Sequence, residues 1–347
     1  MKAVPKQPPL QGAANFFLRL FNCLSLAALI AVLLVILAGG IVRMTGSGLG
    51  CPDWPKCFGS WIPPTHESQL PPNYQEIFKI QGKTIAPFNP FKTWTEYINR
   101  LLGALAGLLV LLAFFSSIPL LKTTFRYIFF CALLSLTLMG LQGWLGAQVV
   151  DSLLAPYMVT IHMLLALIII GGLVFSTFWH RLPSFIGTAK TRIRGIAFLN
   201  LLLLMIQVGL GTQVREHVDT ILLELTSISV SDFESIGIFF WVHRSFSIIV
   251  LLAYLYQAYC FYSLRELWAR YFYLGIIPLI WIGLELISGI GLVYAGLPPI
   301  LQPFHLLVAS ILFANQFLVV LLLLKGKEKR NLSWQESDKL NWRTSIS

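Results

Sequence analysis

Charge is what this sequence has least of. Asp, Glu, Lys and Arg make up 12% of its 347 residues, about half the share of an ordinary soluble domain. Cysteine is scarce as well: there are five, and only Cys51 and Cys57 lie close together. Cys23, Cys131 and Cys260 fall inside apolar runs, where a buried inert thiol is expected. No polar stretch is long enough to form a soluble domain. The first apolar run is too long for a signal-peptide core and has no clear cleavage site after it, so it reads as a retained helix. The formal charge is +10, yet the basic residues sit between apolar runs and in the tail. That placement excludes nucleic acid as the partner and follows the orientation rule of membrane proteins.

What is abundant is apolar. Hydrophobic residues account for 56% of the chain, and the mean hydropathy is +0.75. A helix needs about 20 apolar residues to cross a bilayer. Eight stretches qualify: 17–42, 95–120, 127–149, 157–179, 195–213, 238–262, 271–294 and 303–324. The expected fold is therefore all-α and integral to the membrane, with eight transmembrane helices.

Lys2, Lys6, Arg19, Lys122, Arg126, Arg181, Lys190, Arg192, Arg194, Arg265, Arg270 and the basic tail (Lys325, Lys327, Lys329, Arg330) fall on one side. Both termini are then cytoplasmic. The other side receives a long loop (43–94), a turn at Asp151, an acidic loop (214–237) and an uncharged turn (295–302). The polar tail, 325–347, reads as disordered.

The two halves resemble each other. Arg100 follows Asn99 early in span two, and Arg244 follows His243 early in span six. Gly143-Trp144-Leu145-Gly146 precedes His162 as Ser288-Gly289-Ile290-Gly291 precedes His305. Span one ends in Gly39-Gly40-Ile41-Val42-Arg43, and span five in Gly211-Thr212-Gln213-Val214-Arg215. The chain thus divides into residues 1–190 and 191–324. Four spans preserve orientation, so the halves are expected to be parallel-repeat four-helix bundles. Each even-numbered span carries one polar position near its outer end: Asn99, His162, His243 or His305.

Coordinating side chains are costly inside a membrane and mark function by default. Two histidines facing one another across a bundle can hold heme iron through both axial positions, and His243 with His305 fits that description. Zinc sites take three or four ligands, and no Cys or carboxylate is read at the matching depth in the second half. In the first half Asn99 faces His162, and Asn is a poor ligand for heme iron. A heme there has one strong ligand and a freer opposite face. Glu96 is one helical turn before Asn99 on the same face, placed to accept or relay protons or to favour the helix start. Arg43, Arg100, Arg215 and Arg244 lie at the outer boundary, as partners for heme propionates or as interfacial anchors. His66, His180 and His217 fall in loops or at helix ends and read as surface residues.

In the first loop, Gly46-Ser47-Gly48-Leu49-Gly50 resembles a dinucleotide fingerprint but lacks the flanking strand and helix that motif needs. Cys51 and Cys57 lie outside the cytoplasm, where a disulfide is plausible. Free thiols or a redox-active pair are the other readings.

Together, Gly40-Ile41-Val42-Arg43-Met44-Thr45-Gly46-Ser47-Gly48, the Cys51-Pro52-Asp53-Trp54-Pro55-Lys56-Cys57 segment, Glu96-Tyr97-Ile98-Asn99-Arg100, His162, His243-Arg244 and His305 resemble the heme A synthase family. The likeness runs over residues 20–324. It implies an oxidoreductase that converts heme O to heme A by oxidising the C8 methyl to a formyl group, through successive hydroxylations and loss of water. It implies a heme b cofactor between His243 and His305, with Arg244 and Arg215 beside it. The substrate heme then sits on His162, with Arg100 and Arg43, and Glu96 and Asn99 stand at the catalytic positions. The family usually has His where this chain has Asn99. Some relatives also carry a second cysteine pair in the loop between spans five and six, which has no cysteine here.

Expected partners are heme O, the heme O synthase that supplies it, an electron acceptor (a quinone or a redox protein), the lipid bilayer and a second copy of the chain. The expected location is the inner (cytoplasmic) membrane, with the heme sites near its outer face. Two other readings stand beside this one. A non-catalytic diheme cytochrome b accounts for the histidines but not for Glu96, Asn99 and the cysteine loop. A transporter built from parallel repeats is expected to have midplane sites and broken helices.

Overall fold

A computed structural model describes residues 12–183, 189–224, 233, 236–263 and 272–325. Lys2, Lys6, Arg265, Arg270 and the tail from 326 onward lie outside the described residues. Eight long helices follow one another: α1 (Gly12–Met44), α2 (Pro90–Ser117), α3 (Arg126–Asp151), α4 (Pro156–Phe178), α5 (Ala189–Glu224), α6 (Ile238–Ser263), α7 (Phe272–Tyr294) and α8 (Leu301–Leu324). Among the described residues all eight are long and apolar enough to cross a membrane.

The helix starts follow local chemistry. Pro90 and Pro156 occupy the first turns of α2 and α4, where a missing N–H costs nothing. Asn89 caps α2 by accepting the Lys92 N–H at 3.1 Å. Pro278 lies inside α7, as membrane helices tolerate when neighbours satisfy the freed backbone.

One boundary differs from expectation. Span five was expected to end at 213, with 214–237 as a loop; instead α5 continues to Glu224. Val214, Val218 and Ile221 extend its apolar stripe at helical spacing and pack with Phe233, Ile236 and Phe240. Arg215 and Asp219, four apart, form an ion pair beside that stripe. The apolar stripe and the i,i+4 pair together hold the chain in helix. His217 therefore sits on a helix and not in a loop. The rest of the acidic segment falls mostly outside the described residues.

Helices α1 to α4 form a ring of neighbours, α1–α2–α3–α4–α1, and α5 to α8 form a second ring in the same order. The rings meet where α8 packs on α1 and α4. Gly40 permits a close approach there, because a Cβ on it would lie 2.9 Å from Pro303. Cores lacking a hydrophobic driving force between helices rely on packing and interhelical hydrogen bonds. In the first ring Ser25 meets Thr177 at 2.6 Å. In the second, the fully buried Asn200, Gln257 and Gln316 bond to one another, and Gln316 also donates to the Ala197 carbonyl.

The loop between α1 and α2 is ordered. Cys51 and Cys57 form a disulfide. Phe58 stacks edge-on against Tyr74, Phe78 and Phe88, giving the loop its own small core. The backbone of Gly50 lies against α2, and a Cβ there would sit 2.5 Å from the Lys92 carbonyl oxygen. Rigid backbone cannot yield as a side chain does. Gly50→Ala is therefore expected to lift the loop from α2 and cost about 1–3 kcal/mol, as overpacking does. A lowered thermal midpoint in detergent and faster proteolysis within residues 45–89 are the readouts.

Candidate functional site

The three histidines lie in the second turns of α4, α6 and α8, at the end of the bundle that carries the α1–α2 loop. Each ring packs on a glycine of the preceding helix. A Cβ on Gly146 would lie 3.5 Å from His162, one on Gly211 3.1 Å from His243, and one on Gly289 3.6 Å from His305. Four residues before each glycine, on the same helical face, stands a polar side chain that touches that histidine. Gln142 Nε2 donates to the His162 carbonyl at 3.1 Å and lies 3.2 Å from its ring Nε2. Gln207 donates to the His243 carbonyl at 3.1 Å. Glu285 Oε2 lies 2.9 Å from His305 Nδ1, with Ser288 Oγ 2.8 Å from the same nitrogen. The first ring has no fourth set: Val35 and Ile36 precede Gly39 and Gly40, and α2 carries Asn99.

Helices α6 and α8 stand diagonally in the second ring, since each neighbours α5 and α7. Diagonal helices of a bundle are where two axial ligands for one iron are found. Buried polar atoms are nearly always satisfied, yet here the exceptions gather. Asn99 Oδ1, Gln142 Oε1, His162 Nδ1, Gln207 Oε1, His243 Nδ1 and Glu285 Oε1 are buried with no hydrogen-bond partner among the described residues. Polar atoms and ring nitrogens left open in an apolar bundle fit a macrocycle whose iron takes one or two histidines. Among the described residues no group of three or more His, Cys, Asp or Glu is arranged to hold a bare metal ion.

Above the first ring, α2 grips the disulfide loop. Glu96 is 3% exposed; its Oε2 accepts the Cys51 N–H at 2.9 Å and its Oε1 accepts from Arg100 at 2.6 Å. Arg100 also donates to the carbonyls of Cys51, Asp53 and Lys56. Asp53 in turn accepts the N–H groups of Phe58 and Gly59. Tyr97 donates to the Trp61 carbonyl and Trp94 to that of Pro64. The Glu96-Tyr97-Ile98-Asn99-Arg100 motif thus carries both the loop's anchor and the buried Asn99.

The remaining arginines separate. Arg43 of α1 and Arg215 of α5 meet on one carboxylate, Asp219, at 2.5 Å and 2.7 Å. Arg215 also donates to Gln302 at 2.7 Å, and its Nε is buried without a partner. This joins the two rings at the histidine end. Arg244 is exposed, with its guanidinium 5.4 Å over the Trp241 ring.

Sequence reasoning overlooked Gln142, Gln207, Glu285 and Asp219. The statement that no carboxylate stands at the matching depth is corrected by Glu285, which touches His305. It is the one charge in the apolar run Leu284-Glu285-Leu286-Ile287, and an intramembrane carboxylate is itself a signal. The Gln-or-Glu then Gly spacing of four was also readable.

The family model described as cytochrome oxidase assembly protein, COX15-CtaA, matches residues 22–317 and again 215–345. Curated relatives include the heme A synthase of Shewanella oneidensis, 33% identical over 181 residues, which are 52% of this chain and 52% of that protein. The heme A synthase of Novosphingobium aromaticivorans is 28% identical over 197 residues, covering 53% and 55%. That of Brucella suis is 34% identical over 167 residues, covering 43% and 45%. The chain spans about half the length of the curated relatives it matches. With the family match running over most of the eight-helix body, this chain belongs to the COX15-CtaA family of cytochrome oxidase assembly proteins, the family of the heme A synthases.

Proposed function

We propose that this protein is a heme A synthase of the inner (cytoplasmic) membrane, oxidising the C8 methyl of heme O to a formyl group by successive hydroxylations and loss of water. The observation that carries the reading is the histidine set on a single bundle end, each ring seated on a glycine with open polar atoms around it. Residues 1–190 form the substrate half and 191–324 the cofactor half. The matching rings of neighbours support parallel repeats. The basic residues at the opposite end support cytoplasmic termini and heme sites near the outer face.

Heme b supplies one-electron transfer when bound. His243 and His305 would hold it, and Arg215 and Arg244 would serve its propionates. His162 holds the substrate heme. Asn99 leaves the opposite face without a second strong ligand, which suits a reacting group better than a pure carrier. Arg43 and Arg100 frame the outer edge. Glu96 handles the proton released from the methyl group, steadied by Arg100 and the Cys51 N–H. The disulfide loop shields that edge from water. Heme O enters from the bilayer after its synthase makes it, and electrons leave to a quinone or a redox protein.

The test is to purify the protein in mild detergent from cells that make heme O and to identify its hemes by chromatography and mass. Heme b together with heme O, heme A or a hydroxylated form is expected. Heme b alone favours a diheme-type electron carrier, and no heme overturns the reading.

A further inference from the structure

We propose that Glu285 is a positioning residue that makes His305 an anionic-assisted ligand, giving the cofactor site a lower reduction potential than the histidines alone would set. This rests on the reading of His305 as a heme ligand. The Ser288 hydroxyl donates to the Glu285 backbone carbonyl at 3.1 Å, so the lone pairs of its oxygen are what face His305 Nδ1 at 2.8 Å. Glu285 Oε2 approaches the same nitrogen at 2.9 Å. Two acceptors on one ring nitrogen require that Nδ1 carry the proton. Nε2 then keeps its lone pair and is the nitrogen left to bind iron. A carboxylate on the far ring nitrogen fixes the ring's orientation and raises its basicity, as partners of metal-bound histidines do.

The other histidines lack this arrangement. Gln142 and Gln207 occupy the corresponding positions relative to Gly146 and Gly211, and both are neutral amides that donate to histidine backbone carbonyls. Nδ1 of His162 and Nδ1 of His243 have no hydrogen-bond partner among the described residues. The repeat thus places one charged acceptor among three equivalent positions, and it falls in the half assigned to electron transfer. A more basic ligand favours the ferric state. The site then rests ferric and, once reduced, passes its electron on readily. The substrate side, supported by a neutral amide, is left without that bias.

The experiment compares redox titrations of the b-type spectrum in detergent-purified wild type and Glu285→Gln. Glutamine keeps an acceptor oxygen and removes the charge. The heme is expected to stay bound, with the ferric-to-ferrous ratio at a fixed poise lowered about tenfold, a shift of about 59 mV toward positive potential for a one-electron couple. Ser288→Ala should shift it in the same direction by less. An unshifted potential in Glu285→Gln with heme retained overturns the proposal. If Glu285→Gln loses its heme, Glu285→Asp decides: retention near the wild-type potential supports the positioning role, and loss in both overturns it. Failure of the underlying reading looks different, because the wild type would then show no b-type spectrum or His305→Ala would keep it.

Discussion

Replacing His305 with alanine is expected to abolish the low-spin b-type spectrum of the purified protein. The substitution removes a proposed axial ligand and does more. Glu285 and Ser288 both face His305 Nδ1, so alanine also strips the partner from a carboxylate within an apolar helix. Loss of a ligand's supporting partner alone costs about 10–100-fold in metal affinity, and loss of the ligand itself exceeds that. His243→Ala should have the same spectral effect. It leaves Gln207 free to keep its bond to the residue 243 carbonyl, so the fold is disturbed less there. His162→Ala should spare the b-type spectrum and remove the heme O or heme A fraction from the extract. Retention of the full low-spin spectrum in both second-half variants would sink the cofactor assignment. Selective loss, with His162→Ala unaffected, ties the cofactor to the second ring.

The number and approximate bounds of the membrane helices were legible because eight apolar runs of spanning length leave little choice. The histidines were legible for a related reason: a coordinating side chain in an apolar run stands out, and the internal likeness of the halves places it. The continuation of α5 beyond 213 was hidden by its charge. Glu216 and Asp219 read as loop by composition, whereas Val214, Val218 and Ile221 keep a helical stripe beneath them. The polar residues supporting the histidines were hidden differently. Gln142 and Gln207 carry no charge, and their meaning depends on which faces meet, which a sequence does not give. Glu285 was visible as a charge but not as a neighbour of His305. The arginines illustrate the same limit. Arg43 and Arg215 matched in the repeat, yet their meeting on Asp219 across the two rings depends on three-dimensional packing.

Glu96→Ala is expected to be the most damaging change outside the histidines. It leaves the Arg100 guanidinium without the one carboxylate that pairs with it among the described residues, and the Cys51 N–H without an acceptor. Breaking a buried ion pair costs about 3–5 kcal/mol. The cost here lies toward the lower end, because Arg100 keeps the carbonyls of Cys51, Asp53 and Lys56. The loop should loosen, with the Cys51–Cys57 disulfide reduced faster and residues 45–89 cut sooner by protease. Glu96→Gln separates anchoring from chemistry. Its amide oxygen still accepts one bond, from either Arg100 or Cys51, so the disulfide should stay largely protected. Its side chain carries no titrating proton. If Glu96→Gln keeps the loop closed and binds both hemes yet converts heme O at least about tenfold more slowly, within the range general acid–base groups contribute, Glu96 moves a proton as well as holding the loop. If conversion persists at the wild-type rate, Glu96 acts only as the anchor, and the proton leaves the methyl group by another route.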